Sequence, residues 1–151
     1  MQALLTYPAL EDNLFDEVIL IDDDRTVNLV NQKIIQDLLP TATIRTFENG
    51  EKGLVYLLNS IDSELRTLVL VDLNMPVMDG FQFLSVYENA ISYQDHCFTL
   101  CLLTSSEDKA DLQKVARCPS VLKCTTKPLT LPKMEDLLDC CKPKLLVSAS
   151  R

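Results

Sequence analysis

Two runs in this sequence are apolar at nearly every position: TLVLVD at 67–72 and FTLCLLT at 98–104. A strand with one face in water alternates apolar and polar residues, whereas a strand covered on both faces is apolar throughout. Strands of the second kind are typical of a parallel sheet that lies between two layers of helices. The two runs therefore predict central strands, and EVILID at 17–22 predicts a third.

Helical patterns alternate with the strands. After each strand, apolar residues recur three and four positions apart, as on the buried face of a helix. The predicted stripes, in chain order, are Val27, Val30, Ile34 and Leu38; Leu54, Leu57, Leu58 and Ile61; Phe83, Leu84, Tyr87 and Ile91; Leu112, Val115 and Ala116; and Met134, Leu137, Leu138 and Cys141. A half-buried strand at 42–47 and a strand at 120–124 complete five strand–helix repeats.

Five such repeats predict one domain of the α/β class. We expect a (βα)5 fold, a doubly wound parallel sheet of five strands with helices on both faces and right-handed crossovers. By analogy with other doubly wound proteins, we expect the flavodoxin-like strand order 2-1-3-4-5. The predicted boundaries are an N-terminal tail or extension at 1–15, the domain at 16–142 and a C-terminal tail at 143–151.

Net charge, hydropathy and cysteine content limit the possible functions and locations of the protein. The net charge of −8 argues against binding to nucleic acids, because that binding depends on Lys and Arg side chains that neutralise phosphates. No apolar run approaches the roughly 20 residues of a membrane span, and the N-terminus lacks the basic start of a secretion signal. We therefore expect a cytoplasmic protein that contacts no membrane, has no output domain and keeps its six cysteines as buried, reduced thiols.

Reactive polar residues follow four of the strands. Asp22 and Asp23 end the first strand, Asp72 ends the third, Thr104 ends the fourth and Lys127 follows the fifth. The carboxyl ends of parallel strands share one crevice, where open α/β sheets bind ligands. Two carboxylates ~4 Å apart repel by about 4 kcal/mol at an effective dielectric constant near 20, so such a cluster needs a cation or a shifted pKa.

These residue types suit phosphoryl transfer. Mg²⁺ prefers carboxylate and phosphate oxygens, and a carboxylate such as that of Asp72 can attack phosphorus and become an aspartyl-phosphate. The ammonium group of Lys127 and the hydroxyl group of Thr104 would neutralise charge on the phosphoryl oxygens. The neighbouring Asp24 is predicted to cap the first helix.

At these residues the chain resembles a response-regulator receiver domain of the chemotaxis-regulator type that stands alone. The similarity lies in VILIDDD, VLVDLNMPVMDG, LLTSS and TKPL, which follow in the order and at the approximate spacing of that family. It covers residues 16–142. It implies a phosphorylated signalling domain of a two-component phosphorelay. Such a domain catalyses its own phosphorylation and dephosphorylation and is not a turnover enzyme.

The resemblance also implies partners and ligands. Asp72 would accept phosphate from a sensor histidine kinase or a His-containing phosphotransfer protein. Mg²⁺ would be held by Asp23, Asp72 and the backbone carbonyl of Asn74, with Asp22 acting mainly through water. Thr104 would report phosphorylation, together with the lysine, to a downstream protein whose identity the sequence leaves open, as it does a homodimer.

Two positions depart from the family pattern. Cys124 lies three residues before Lys127, where the family usually has a Tyr or Phe that switches between exposed and buried states. The loop before the fifth strand is Arg117-Cys118-Pro119 instead of a Gly-Ala type. Both lie on the face that the family often uses for output, so we expect phosphorylation with an unusual readout surface.

Two alternatives remain at this point. Asp22-Asp23-Asp24-Arg25-Thr26 fits the DxDxT opening of a haloacid-dehalogenase-type phosphohydrolase, with Asp22 as nucleophile and Asp24 as general acid/base. That reaction assigns no role to DLNMPVMDG. The other alternative is a receiver-like binding module that is not phosphorylated, although such modules usually lack an acidic residue or the lysine.

Overall fold

The computed structural model describes residues 14–75, 78–94, 96–105 and 109–149. Strands and helices alternate five times in this range, as predicted. The strands are β1 (Glu17–Ile21), β2 (Thr43–Phe47), β3 (Thr67–Asp72), β4 (Phe98–Thr104) and β5 (Val121–Thr126). The helices are α1 (Arg25–Leu38), α2 (Gly50–Asn59), α3 (Gly80–Ala90), α4 (Lys109–Ala116) and α5 (Leu131–Ala149).

All strand pairs are parallel, and the order is β2-β1-β3-β4-β5. This confirms the predicted flavodoxin-like order. Every residue of β1, β3 and β4 is buried, whereas the edge strands β2 and β5 are largely half-buried or exposed. Ile21 pairs with Val71, so the carboxyl ends of β1 and β3 lie at the same level.

Two apolar layers cover the sheet. One contains Ile35 and Leu39 at the end of α1 with Met134 and Leu137 of α5. The other is built by α2, α3 and α4. Each large aliphatic side chain buried in these layers stabilises the fold by about 1.5–3 kcal/mol. Helix α4 contributes least, because Val115 is its one buried residue.

The buried face of α1 differs from the prediction. Val30 was predicted to face the core but is 53% exposed. The buried residues of the helix are Asn28, Asn31 and Ile35. The Nδ2 atom of Asn28 donates a hydrogen bond of 2.9 Å to the backbone oxygen of Asp22, which satisfies the donor end of this buried amide.

Side-chain caps start the first three helices. The prediction that Asp24 caps α1 is confirmed, because its side chain accepts hydrogen bonds from the backbone N–H groups of Thr26 and Val27. Asn49 caps α2 in the same way. Asp79 forms a capping box at the start of α3.

Residues near both ends of the described range pack against the domain. Leu14 and Phe15, in the predicted N-terminal tail or extension, are each 1% exposed. Helix α5 continues through Pro143 to Ala149, where a C-terminal tail was predicted. Proline usually ends a helix; here Leu145 lies beyond it and is buried in the core. Residues 1–13 and 150–151 of the predicted tails lie outside the described residues.

The cysteines are less uniform than predicted. All six are free thiols, but only Cys101 and Cys141 are buried. Cys97 is exposed, so the prediction of burial is wrong there, because β4 begins only at the following residue. Among the described residues, no helix combines the length and the apolar character that a membrane crossing needs.

Candidate functional site

Three carboxylates meet at the carboxyl edge of the sheet. Asp22 and Asp23 follow β1, and Asp72 ends the neighbouring β3. One oxygen atom from each carboxylate lies within 4.8 Å of the other two. Asp22 and Asp72 are 3% and 4% exposed, whereas Asp23 is open to solvent. The parallel order of the strands therefore brings together the acidic residues that the sequence singled out.

Lys127 joins this cluster from the end of β5. Its Nζ atom lies 2.6 Å from Oδ2 of Asp22 and 3.1 Å from Oδ2 of Asp72. At an effective dielectric constant near 20, each contact is worth about 5–6 kcal/mol of Coulomb attraction before the cost of desolvation. The ammonium group thus offsets the repulsion between the two buried carboxylates.

Burial and the neighbouring charges shift two pKa values. Burial raises the pKa of Asp72, and the charge of Asp22 raises it further, against the lowering effects of the Asn74 N–H and Lys127. Burial by itself would lower the pKa of Lys127. Its hydrogen bonds to the two carboxylates, and their charges, outweigh burial and raise that pKa. The lysine is therefore firmly cationic, while the charge of Asp72 is costly to maintain.

Backbone groups orient the two buried carboxylates. The N–H of Asn74 donates to Oδ1 of Asp72 at 3.2 Å. The N–H of Asp24 donates to Oδ1 of Asp22 at 2.9 Å. In each carboxylate one oxygen is thus held by the following loop, while the other faces Lys127.

A close contact fixes the loop that follows Asp72. The N–H of Gly80 donates to the oxygen of Leu73 at 2.8 Å, and the N–H of Leu73 donates to the oxygen of Leu103 at 2.9 Å. A Cβ atom at Gly80 would lie 2.6 Å from Cα of Leu73, so no larger residue fits without a backbone shift. Positions 76–77 of the DLNMPVMDG motif lie outside the described residues.

Thr104 lies at the same edge. It ends β4 in register with Thr126, and its backbone oxygen accepts a 2.8 Å hydrogen bond from the N–H of Lys127. Thr104 is completely buried, with 0% of its surface exposed to solvent. Cys124 pairs with Leu102, two positions before the end of β4, and packs against the core layer of α2, α3 and α4.

Sequence patterns missed one residue of this site. Asn28 holds the backbone of Asp22, but it interrupts an apolar stripe and was overlooked. The signal was present, because Asn28, Asn31 and Ile35 are spaced as one helical face directly after the acidic pair. The role of the Asn74 carbonyl stays a prediction.

Comparison with known proteins identifies the fold family. The family profile described as "Response regulator receiver domain" matches residues 18–139. The chain belongs to this family. Over 123 residues this receiver domain is 27% identical to "Probable chemotaxis protein CheY" of Rhizobium etli, a match that spans 82% of the chain and 89% of that protein.

Solved structures of response regulators share the fold of this chain. A two component response regulator from Cytophaga hutchinsonii superposes with a TM-score of 0.73 at 27% identity, covering 87% of this chain and 97% of the other. A response regulator receiver protein from Dyadobacter fermentans gives a TM-score of 0.69 at 24% identity and covers 82% and 94%, which supports the fold. The protein is therefore the receiver domain of a two-component response regulator, a signalling domain.

Proposed function

We propose that this receiver domain accepts a phosphoryl group on Asp72 from a sensor histidine kinase or a His phosphotransfer protein, with Mg²⁺ as cofactor. The observation that carries the proposal is the cluster of three carboxylates within 4.8 Å, bridged by Lys127. Phosphoryl transfer requires little more than a positioned nucleophile and neutralised charge. The position of Asp72 beside Lys127 supports both requirements.

The oxygen donors fit Mg²⁺. A hard divalent cation takes carboxylate and carbonyl oxygens and keeps several waters. Asp22, Asp23, Asp72 and the backbone carbonyl of Asn74 would hold it, and the exposed Asp23 leaves an open path from solvent. When bound, the ion would supply positive charge beside the transferring phosphoryl group.

Asp72 is the nucleophile in this proposal. Its carboxylate oxygen forms a bond to the phosphorus of a phosphohistidine while the N–P bond breaks, and the electron pair of that bond returns to the imidazole ring. Asp72 is the better candidate than Asp22, because both contacts of Asp22 are shorter. Lys127 lies 2.6 Å from Asp22 and 3.1 Å from Asp72. The loop N–H group lies 2.9 Å from Asp22 and 3.2 Å from Asp72. Hydrolysis of the acyl phosphate by water would reset the domain without turnover of a separate substrate.

Two residues would report the modification. Lys127 would exchange its contact with Asp72 for one with a phosphoryl oxygen, and the Thr104 hydroxyl would donate to another. Because the backbones of Lys127 and Thr104 are hydrogen-bonded to each other, movement of one end of β4 affects β5. Cys124 lies in β5 and would transmit this change to a downstream protein or a second copy of the chain without an aromatic ring.

Acetyl phosphate provides the test. With Mg²⁺, intact mass spectrometry should detect one added phosphoryl group that hydroxylamine removes, and Asp72→Asn should abolish it. Label that survives Asp72→Asn but disappears with Asp22→Asn would support the phosphohydrolase instead. Absence of label in the wild type would support an unphosphorylated binding module.

The phosphohydrolase alternative finds no support in the geometry. Its general acid/base would be Asp24, whose Oδ1 atom accepts hydrogen bonds of 2.9 and 3.2 Å from the N–H groups of Thr26 and Val27. A carboxylate used in this way is a helix cap.

A further inference from the structure

A groove of about 330 Å³ lies between α3 and α4, away from the acidic cluster. Its lining includes Phe81 and Leu84 of α3 and Pro119 of the loop after α4. Phe81 is half-buried and Pro119 is exposed. An apolar groove of this kind can accept side chains from an extended or helical peptide.

Two cations line the same groove. The Nζ atom of Lys114 lies 5.3 Å from the centroid of the Phe81 ring, and Arg117 follows at the end of α4. Within the described ranges, neither side chain forms an ion pair. Elsewhere, basic side chains such as Arg25 and Arg45 are paired with glutamates.

Among the described residues that line the groove, Glu88 is the one acidic side chain, and it is already engaged. Oε1 of Glu88 accepts hydrogen bonds from Sγ of Cys118 at 2.8 Å and from the N–H of Ser120 at 3.1 Å. This carboxylate ties the end of α3 to the loop after α4, so its charge is directed at the loop. The positive potential of Lys114 and Arg117 therefore remains available to a ligand, in a chain whose net charge is −8.

We propose that this groove docks an acidic amphipathic peptide segment of a partner protein. Apolar side chains of the segment would enter beside Phe81 and Leu84, and its carboxylates would pair with Lys114 and Arg117. None of the described residues that line the groove belongs to the acidic cluster, so docking does not require the Asp72 side chain. Loss of phosphorylation and loss of docking are therefore separate outcomes.

The test uses a synthetic helical peptide of about 14 residues with leucines on one face and glutamates on the other. The peptide is titrated into the ¹⁵N-labelled full chain, and backbone amide shifts are followed. We expect shifts that cluster on α3, α4 and the loop at 117–120. A matched peptide with lysine for each glutamate should not shift these resonances.

Charge-reversal variants give the decisive comparison. Lys114→Glu with Arg117→Glu should weaken binding of the acidic peptide about fivefold or more. Lys33→Glu with Lys52→Glu makes the same charge change on exposed positions of α1 and α2 and should leave affinity within about twofold. The Asp72→Asn variant should bind the acidic peptide with the affinity of the wild type.

Three results would overturn the proposal. The first is absence of binding at about 1 mM peptide. The second is equal weakening by both double variants, or shifts confined to other surfaces. The third is a dimer in light scattering that Lys114→Glu with Arg117→Glu dissociates, which would identify a second copy as the occupant.

Discussion

Neutralising the phosphoacceptor should not harm the fold, although Asp72 is buried and hydrogen-bonded. In Asp72→Asn the side-chain oxygen can still accept from the N–H of Asn74. Lys127 keeps its shorter contact of 2.6 Å to Asp22. The variant therefore loses one buried negative charge and its 3.1 Å contact with Lys127, because the amide Nδ2 atom that replaces Oδ2 cannot accept from the ammonium group.

The magnitude follows from distances. At an effective dielectric constant near 20, Lys127 at 3.1 Å stabilises the Asp72 carboxylate by about 5 kcal/mol. The carboxylate of Asp22, within 4.8 Å, opposes this by about 3.5 kcal/mol or more. The net Coulomb attraction that remains is smaller than the desolvation cost of a buried ion, which is roughly several kcal/mol. We expect the free energy of unfolding to change by between zero and about +2 kcal/mol, which is a Tm increase of at most about 8 °C.

The assay is thermal unfolding at pH 7 in EDTA and low salt, with Glu17→Gln as the matched control. Glu17 is 3% exposed, like Asp72, but its carboxylate is well satisfied. It accepts from Arg45 at 2.8 Å, Tyr56 at 2.6 Å and Thr67 at 3.3 Å. Its neutralisation should lower stability by about 1–3 kcal/mol, so the two substitutions should differ in sign.

The pH dependence of the difference in Tm between the wild type and Asp72→Asn gives a second test of this reasoning. Burial raises the pKa of Asp72 above its ordinary value of 3.8, so the ionised carboxylate costs stability in the folded state. This cost is fully present above the folded-state pKa and disappears as the pH falls through that pKa towards 3.8. Any Tm advantage of Asp72→Asn should shrink on acidification. A loss of Tm at pH 7 that matches the loss in Glu17→Gln would refute the reasoning.

Further predictions concern the lysine, the loop and the cap. Lys127→Ala leaves two buried carboxylates without a cation and should lose about 3–5 kcal/mol in EDTA by denaturant titration, while Mg²⁺ still binds and stabilises it; wild-type stability without metal would contradict this. Gly80→Ala, whose Cβ would meet backbone of Leu73 at 2.6 Å, should lower stability by about 1–3 kcal/mol. Gly50→Ala should cost less in the same thermal assay, because its Cβ atom would come closest to the flexible side chain of Met78, at 3.0 Å, rather than to a backbone atom. Asp24→Ala should cost about 1 kcal/mol through the lost cap and retain phosphorylation by acetyl phosphate; loss of the label would revive the hydrolase alternative.

The arrangement of the fold was predictable because a strand that is buried on both faces is apolar at nearly every position of its sequence. The runs that form β3 and β4 are apolar at nearly every position, and every one of their residues is buried. Once those strands are parallel, the residues after them must converge. This is why Asp22, Asp72 and Lys127 could be assigned to one site before any coordinates.

Other features depend on contacts that a pattern does not encode. The inward face of α1 is polar because Asn28 bonds to the backbone of Asp22. The spacing of Asn28, Asn31 and Ile35 marks this face, but the spacing alone does not show which group the amide binds. Helix α5 continues past Pro143, although proline usually ends a helix. Leu145, which follows the proline, is buried in the core, and this tertiary packing overrides the local preference. The shared contact of Lys127 with both carboxylates likewise follows from distances between three separate loops.

Borohydride trapping is the most direct test of the proposal that this edge of the sheet is a phosphoryl acceptor. The chain is incubated with acetyl phosphate and Mg²⁺, reduced so that an aspartyl-phosphate becomes homoserine, digested and sequenced by mass spectrometry. We predict homoserine at position 72 and at no other aspartate. Homoserine at position 22 or 23, or unmodified Asp72 in a folded, Mg²⁺-binding protein, would contradict the assignment.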